Sequence, residues 1–419
     1  MNCTAVAGGS TRDKAIRDPE PTTATYFEAV TLNGPFTLQL VQKSKHVPSL
    51  ALMNTRRDNF YEKHIKYCSR NKIQVDTDCT MEFLSFNSSS KSLTLKKRDA
   101  LPKPAANEVR IKVTYSGICG TDLHILEGSF PCKEDGPLTL GHEFVGTIDA
   151  VGSEVTIFKI GQRVAVDPND GCNKCDHCHN ANYHYCATGG INNTIGIFKD
   201  GGWATHALVP ETQIYLIPDE IEMQQAVLTE PLSCMAHGWD RINPVNVGNK
   251  VLVMGAGIIG LLWACLLHLH GLRKTVTISE LQQKRRELAS NLDLDYKVKN
   301  PTELKEEFDL AVDCCGSAPA MEMAMSFLGP GGRLCVFGVA NPKAKLSIEP
   351  FQVYKKELSI IGVNINPYSF CKGLALVQAM SEKYLTYNKL GIKVFSLSQY
   401  KEALDALKKG DISKAVFKL

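Results

Sequence analysis

Residues 251–271 read VLVMGAGIIGLLWACLLHLHG. Val251, Leu252, Val253 and Met254 make an apolar run of the length of a buried strand, and the run stops at Gly255, Gly257 and Gly260, spaced Gly-x-Gly-x-x-Gly. From Ile258 the apolar character resumes and lasts to Leu269, long enough for a buried helix. A strand that runs through closely spaced glycines into a helix presents backbone N–H groups and the positive end of the helix dipole to an anion.

The residues that follow extend the pattern. A second strand, TVTIS at 275–279, ends in Glu280, whose carboxylate is placed to accept hydrogen bonds from a ribose diol and to repel a 2′-phosphate. Two more strand-like segments, FDLAVDCCGS at 308–317 and PGGRLCVFGV at 330–339, fit later strands of a doubly wound parallel sheet. The reading is a Rossmann unit that binds NAD in preference to NADP, with Gly255, Gly257, Ile259, Gly260, Glu280, Arg285 and Gly338 as cofactor contacts. Arg285 and Arg286 admit two roles, lining the adenosine pocket or standing as solvated helix charges.

Upstream the alternation changes period. MEFLSF at 81–86, SLTLKK at 92–97 and EVRIKVTYSG at 108–117 alternate as strands do, and further strands are expected at 144–150 and 163–166. After them comes Cys172-x2-Cys175-x2-Cys178-x7-Cys186. Such spacing lets four thiolates converge on one tetrahedral ion, and Zn²⁺ prefers that sulfur shell. His177, His179 and His184 are interleaved as alternative ligands.

A second constellation precedes the lobe. SGICGTDLHILEGSFPCKEDGPLTLGHEFVG at 116–146 supplies Cys119, Asp122, His124, His142 and Glu143, and Glu230 follows in the apolar context VLTEPLSC. A thiolate, an imidazole and a carboxylate form a catalytic zinc set when a fourth position stays open. Singly they have blander readings: Cys119 as a buried thiol, His142 as a satisfied core histidine, Glu143 as a surface charge.

Composition bounds what else the chain can be. In 419 residues, 44% are hydrophobic and 22% charged, enough for large buried cores in two or three domains. Net charge is only +3, and the whole excess lies in residues 1–80, so no basic body exists to hold nucleic acid. No apolar run reaches the ~18 residues of a membrane span. The first twenty residues lack an apolar core and carry Asp13, Asp18 and Glu20, which points to a cytoplasmic location.

With G-H-E-F-x-G, the four-cysteine lobe and G-x-G-x-x-G in this order, the chain resembles the zinc-containing medium-chain dehydrogenase/reductase family over residues 81–419. The resemblance implies an α/β fold in which a Rossmann doubly wound parallel sheet, 236–340, is inserted in a GroES-like β-barrel catalytic domain, 81–235 and 341–419. It implies one structural zinc on Cys172, Cys175, Cys178 and Cys186, remote from the cleft. It implies one catalytic zinc on Cys119 and His142 with Glu143 or Glu230. Thr121 and His124 match the family's proton relay, and Asp122 orients the site.

By the same resemblance, a zinc ion acidifies the substrate hydroxyl and NAD takes the hydride. Glu230 in an E-P-L context resembles the polyol and threonine dehydrogenase branches, so a polyol is the first substrate expectation. Ile125 stands where sorbitol dehydrogenases have a pocket tyrosine, and GVNINPYSF at 362–370 lacks their arginine near Asn364 to Asn366. A different sugar alcohol, such as an arabinitol or altritol, follows. The alternatives are L-threonine 3-dehydrogenase and a non-enzymatic zinc and nucleotide-binding protein. A homodimer or homotetramer is implied. Residues 1–80 match nothing in the pattern and are expected to be dispensable, with Met81 as the working start.

Overall fold

The computed structural model describes residues 27–31 and 38–42 by their backbone, and 80–134 and 136–419 in full. The chain divides into two units, Met1–Thr77 and Asp78–Leu419. In the first, β1 (Phe27–Thr31) and β2 (Leu38–Gln42) pair antiparallel, Phe27 opposite Gln42. The expectation that residues 1–80 are dispensable falls almost wholly outside the described residues.

The second unit opens with β3 (Met81–Asn87), β4 (Ser92–Arg98) and β5 (Glu108–Gly117). Helix α1 (Gly120–Glu127) follows, then β6 (Pro137–Leu138), β7 (Phe144–Val151), β8 (Arg163–Val166), β9 (His206–Pro210) and β10 (Ile214–Leu216). Helix α2 (Thr229–Ile242) leads into the segment that the glycine motif identifies: β11 (Val251–Met254), α3 (Ile258–Leu269), β12 (Val276–Ser279) and α4 (Gln283–Ser290). Then come β13 (Lys297–Lys299), β14 (Phe308–Asp313), β15 (Leu328–Val336) and β16 (Ser359–Gly362). Helix α5 (Phe370–Met380), β17 (Ile392–Ser396), helix α6 (Tyr400–Lys409) and β18 (Lys414–Lys418) close the chain.

The cofactor sheet is six parallel strands in the order β13-β12-β11-β14-β15-β16. Its order reverses at β11, which places a crevice beyond the carboxyl ends of β11 and β14. Helix α3 is apolar all round because it is covered all round, with Leu261, Leu262, Trp263 and Leu266 fully buried. Each such large side chain contributes about 1.5–3 kcal/mol by leaving water.

The barrel sheet runs β10-β8-β7-β5-β18-β17, with β9 also on β5, and β4-β3-β6 forms a smaller sheet beside it. Strand β18, the last of the chain, pairs antiparallel with β5, Val416 opposite Gly117. The chain therefore returns to its first lobe, as the resemblance implies. The lobe boundaries differ from the sequence reading at both ends of the insertion. Position 235/236 falls inside α2, and β16, well past 340, completes the cofactor sheet. Parallel strands need long crossovers, so β16 is reached only after a short helix at Pro350–Lys356.

Candidate active site

The glycine turn has the shape that a pyrophosphate needs. Gly255 holds φ at +96°, a left-handed conformation that L side chains rarely adopt. A Cβ on Gly260 would lie 1.9 Å from the Gly255 carbonyl oxygen, whereas one on Gly257 would meet nothing within 4 Å. The first and third glycines thus close the turn onto the helix, and the second leaves room outside it. Glu280, buried, accepts from the Ala256 N–H and the Gln282 N–H, both at 2.8 Å. Its carboxylate pins the turn and sits at the edge of the same crevice.

Arg285 goes elsewhere. Its guanidinium lies beside Gly410, just before β18, and Arg286 donates to the carbonyls of Glu280 and Leu281. Ile259 and Gly338 line the cleft cavity, and Arg285 does not. Gly255, Gly257, Gly260 and Glu280 are likewise absent from that lining, and Arg285 stands on α4 against the carboxyl-terminal segment.

The metal-ligand candidates converge. Cys119 ends the loop after β5 and starts α1, and His142 and Glu143 immediately precede β7. Their donor atoms lie within 4.8 Å of one another. Asp122, fully buried, accepts the Cys119 N–H at 2.8 Å through Oδ2, and its Oδ1 stands 3.5 Å from His142 Nδ1. A carboxylate behind a histidine fixes the ring so that the other nitrogen faces the metal. Burial alone would keep His142 neutral, but Asp122 and Cys119 push its pKa well above the ordinary histidine value. The spot favours positive charge, and the donor set is one that Zn²⁺ accepts.

Of the two carboxylates left open by sequence, Glu143 belongs to this cluster. A Cβ at Gly117 would lie 2.1 Å from Glu143 Oε2, so glycine there leaves the carboxylate its seat. Glu230, on the first turn of α2, lines the same cavity outside the three-residue cluster. Burial raises it to about 7, with Glu143 adding and His142 opposing. Its Oε1 accepts from the Cys234 thiol at 3.4 Å.

The cavity itself, about 270 Å³, joins both lobes. Thr121, His124 and Phe130 line it from the barrel side, and Cys314, Phe337 and Gly338 from the carboxyl ends of the cofactor strands. His124 Nδ1 is 3.5 Å from Ser129 Oγ. Ile125, compared above with a pocket tyrosine, is buried in the core instead.

In the cysteine lobe, Cys172 and Cys175 approach Cys178 to 3.9 and 3.6 Å between sulfurs. A tetrahedron with ~2.3 Å Zn–S bonds puts its sulfurs about 3.8 Å apart, far beyond the ~2.05 Å of a disulfide. All four sulfurs share the cluster without a histidine; His184 packs its ring on Tyr185. None of the four cysteines lines the cavity, while Ile365 of its wall packs against the cysteine cluster. Cys175→Ser is expected to halve the metal content from two ions per chain to one and to lower the thermal midpoint. Elemental analysis and calorimetry check both; two ions retained would overturn the assignment.

Residues 105–219 match the alcohol dehydrogenase GroES-like domain and residues 223–419 the glucose dehydrogenase C-terminus. A sorbitol dehydrogenase of Halalkalibacterium halodurans is 30% identical over 328 residues, covering 75% of this chain and 92% of that protein. The chain belongs to the zinc-dependent medium-chain dehydrogenase family. D-arabinitol dehydrogenase 1 of Uromyces fabae is 32% identical to this dehydrogenase over 72% of the chain and 87% of its own length. RspB of Escherichia coli CFT073, solved with NADH, superposes with a TM-score of 0.71 at 26% identity, covering 81% of this chain and all of that one. The dehydrogenase is an oxidoreductase of the zinc- and nicotinamide-dependent kind. No helix among its described residues is long and apolar enough to cross a membrane.

Sequence reasoning missed Lys414. It is buried with Glu143 in a close ion pair, both side chains 2% exposed, and also donates to the Ile118 carbonyl at 3.3 Å. The one available signal was a lysine heading the short apolar stretch KAVF at 414–417. Its partner lies hundreds of positions away, so spacing could not find it.

Proposed function

We propose that the protein oxidises a secondary hydroxyl of a polyol to a ketone, with NAD as hydride acceptor. The observation that carries this is the single cavity onto which the Cys119, His142 and Glu143 cluster, Glu230 and the carboxyl ends of the cofactor strands all open. Cys119, His142 and Glu143 are the residues that would hold a catalytic zinc, and Cys172, Cys175, Cys178 and Cys186 a structural one. A zinc ion there supplies Lewis acidity toward an alcohol, and NAD supplies the hydride acceptor.

The chain's own groups do the rest. Glu230, lifted to about 7, is matched to holding or releasing a proton near neutrality. Thr121 and His124 lie on the cavity wall as a hydroxyl and an imidazole able to pass a proton outward. His124→Gln is expected to slow turnover most at low pH, where deprotonating the alcohol is hardest, with partial rescue by imidazole buffer. A wild-type pH profile in that variant would send the proton by another path.

Two polar amides, Asn169 and Asn364, share the wall with Thr194, which suits a substrate carrying several hydroxyls. Absorbance of NADH should rise with D-arabinitol, altritol or sorbitol. A response to threonine and to none of the polyols would favour the L-threonine 3-dehydrogenase reading instead.

Cofactor choice rests on Glu280. Its carboxylate sits at the end of β12 beside the glycine turn, where a 2′-phosphate would meet like charge. NAD should be used far better than NADP, and Glu280→Ser should narrow the ratio of kcat/KM values about tenfold or more. Equal use of both cofactors by the wild type would defeat this reading.

A second copy of the chain is the partner we read from the cofactor sheet. Among the described residues its edge strand β16 has no neighbour on one side and carries exposed Ile360, and the helix before it, Pro350–Lys356, carries exposed Phe351 and Tyr354. A monomer by light scattering would end that reading. A cytoplasmic setting, where thiols stay reduced, suits the four sulfurs of the cysteine lobe as metal ligands.

A further inference from the structure

Residues 363–366 leave the last strand of the cofactor sheet and cross toward α5. Val363, Asn364 and Ile365 form part of the cavity wall. Asn366 does not; it is 0% exposed. A buried carboxamide offers two donors and an acceptor, and here they reach two parts of the fold, the loop after β8 and helix α2. Nδ2 donates to Asp167 Oδ1 at 3.0 Å, one residue past β8, and to Ser233 Oγ at 2.9 Å, on α2. Oδ1 accepts from Asn169 Nδ2 at 2.7 Å.

The bond to Asn169 reaches the pocket. Asn169 lines the cavity, and its own Oδ1 accepts from Thr194 Oγ1 at 2.7 Å, another wall residue. The cysteine lobe braces the same segment: Tyr183 Oη donates to the Asn366 carbonyl at 3.4 Å, and Asn364 Nδ2 to the His184 carbonyl at 3.2 Å. A buried polar network with every member satisfied holds one arrangement, where an apolar contact would tolerate several.

We infer that Asn366 is the positioning residue for substrate: its carboxamide ties the 363–365 wall, Asn169 and Thr194 to the helix that carries Glu230, and so governs recognition of substrate hydroxyls without touching them. This rests on the polyol reading of the cavity. Hydroxyl recognition depends on donors and acceptors held to a fraction of an ångström, and Asn169 has no rotamer freedom while both ends of its amide are occupied. Loss of the tie should therefore weaken substrate binding and leave the metal cluster and glycine turn as they are.

The test is a double-mutant cycle of Asn366→Ala with Asn169→Ala in the full chain. With D-arabinitol, or whichever secondary alcohol the wild type accepts, Asn366→Ala should raise KM about tenfold or more and change kcat about threefold at most. Zinc content and NAD affinity, read by elemental analysis and fluorescence titration, should stay at wild-type values. In the Asn169→Ala background the same substitution should add clearly less than it does in the wild type, because the part of its route that runs through Asn169 and Thr194 is already gone. Should the alanine variant fail to fold, the isosteric Asn366→Asp, which keeps the acceptor for Asn169 but loses both donors, takes its place. An unchanged KM in a folded variant, or effects that multiply independently in the cycle, overturns the inference. A wild type inert toward every polyol defeats the substrate reading instead, and the cycle on its accepted alcohol still decides the role of Asn366.

Discussion

Cys119→Ser should lose turnover at every pH, by about a thousandfold or more, while the protein stays folded and keeps NAD affinity. Cys119 occupies the position that caps α1, and serine is among the residues best suited to an N-cap. The substitution thus leaves the helix intact and removes only a sulfur donor from the cluster with His142 and Glu143. Metal content should fall from two ions per chain to one, with the remaining ion in the cysteine lobe. A buffer base cannot stand in for a missing metal ligand, so the bases that rescue a broken proton path should do nothing here. Turnover within tenfold of wild type would remove the cluster from the chemistry.

Lys414→Met should be the most destabilising single change near the site, costing about 3–5 kcal/mol when metal is stripped by chelator. Both Lys414 and Glu143 are buried, so deleting one leaves the other as an uncompensated charge in an apolar setting. Burial by itself would lower the lysine's pKa, yet Glu143, together with Cys119, raises it above 10.5. The ammonium is therefore charged throughout the range in which the enzyme would work. A zinc ion beside Glu143 supplies positive charge of its own, so the deficit should shrink in the metal-loaded protein. Denaturation with and without chelator measures the difference. A loss below about 1 kcal/mol in both states would show that the pair is electrostatically idle. Replacing both partners, Glu143→Gln with Lys414→Met, should restore much of the apo stability while impairing metal binding.

These two predictions differ in origin. Cys119 was legible because its thiolate stands in a short stretch with a histidine and carboxylates, and a metal site whose ligands sit at the two ends of the single β5–β7 connection keeps them close in sequence. Lys414 was not legible, because its meaning lies in the residue opposite it. The same holds for Asn366: the sequence marked its neighbourhood only by an absent arginine, while the structure shows a carboxamide joined to β8's loop and α2 and a backbone carbonyl bonded from the cysteine lobe. Ile125 shows the converse. It lies where a motif suggests a pocket, and the direction of its side chain, set by how its helix packs, takes it into the core.

Local chemistry in the sequence determined the βαβ cofactor unit, the four-sulfur lobe and the composition of the metal set. Each depends on residues within a few turns of one another, where spacing and hydrogen-bonding geometry leave few alternatives. Tertiary structure alone decided which carboxylate joins Cys119 and His142, where the cofactor sheet ends, and which buried groups hold the pocket wall. Those outcomes depend on strands and helices brought together from distant parts of the chain. Burial, by removing competing water, gives such long-range contacts their strength, and no pattern along the chain encodes which groups will share it.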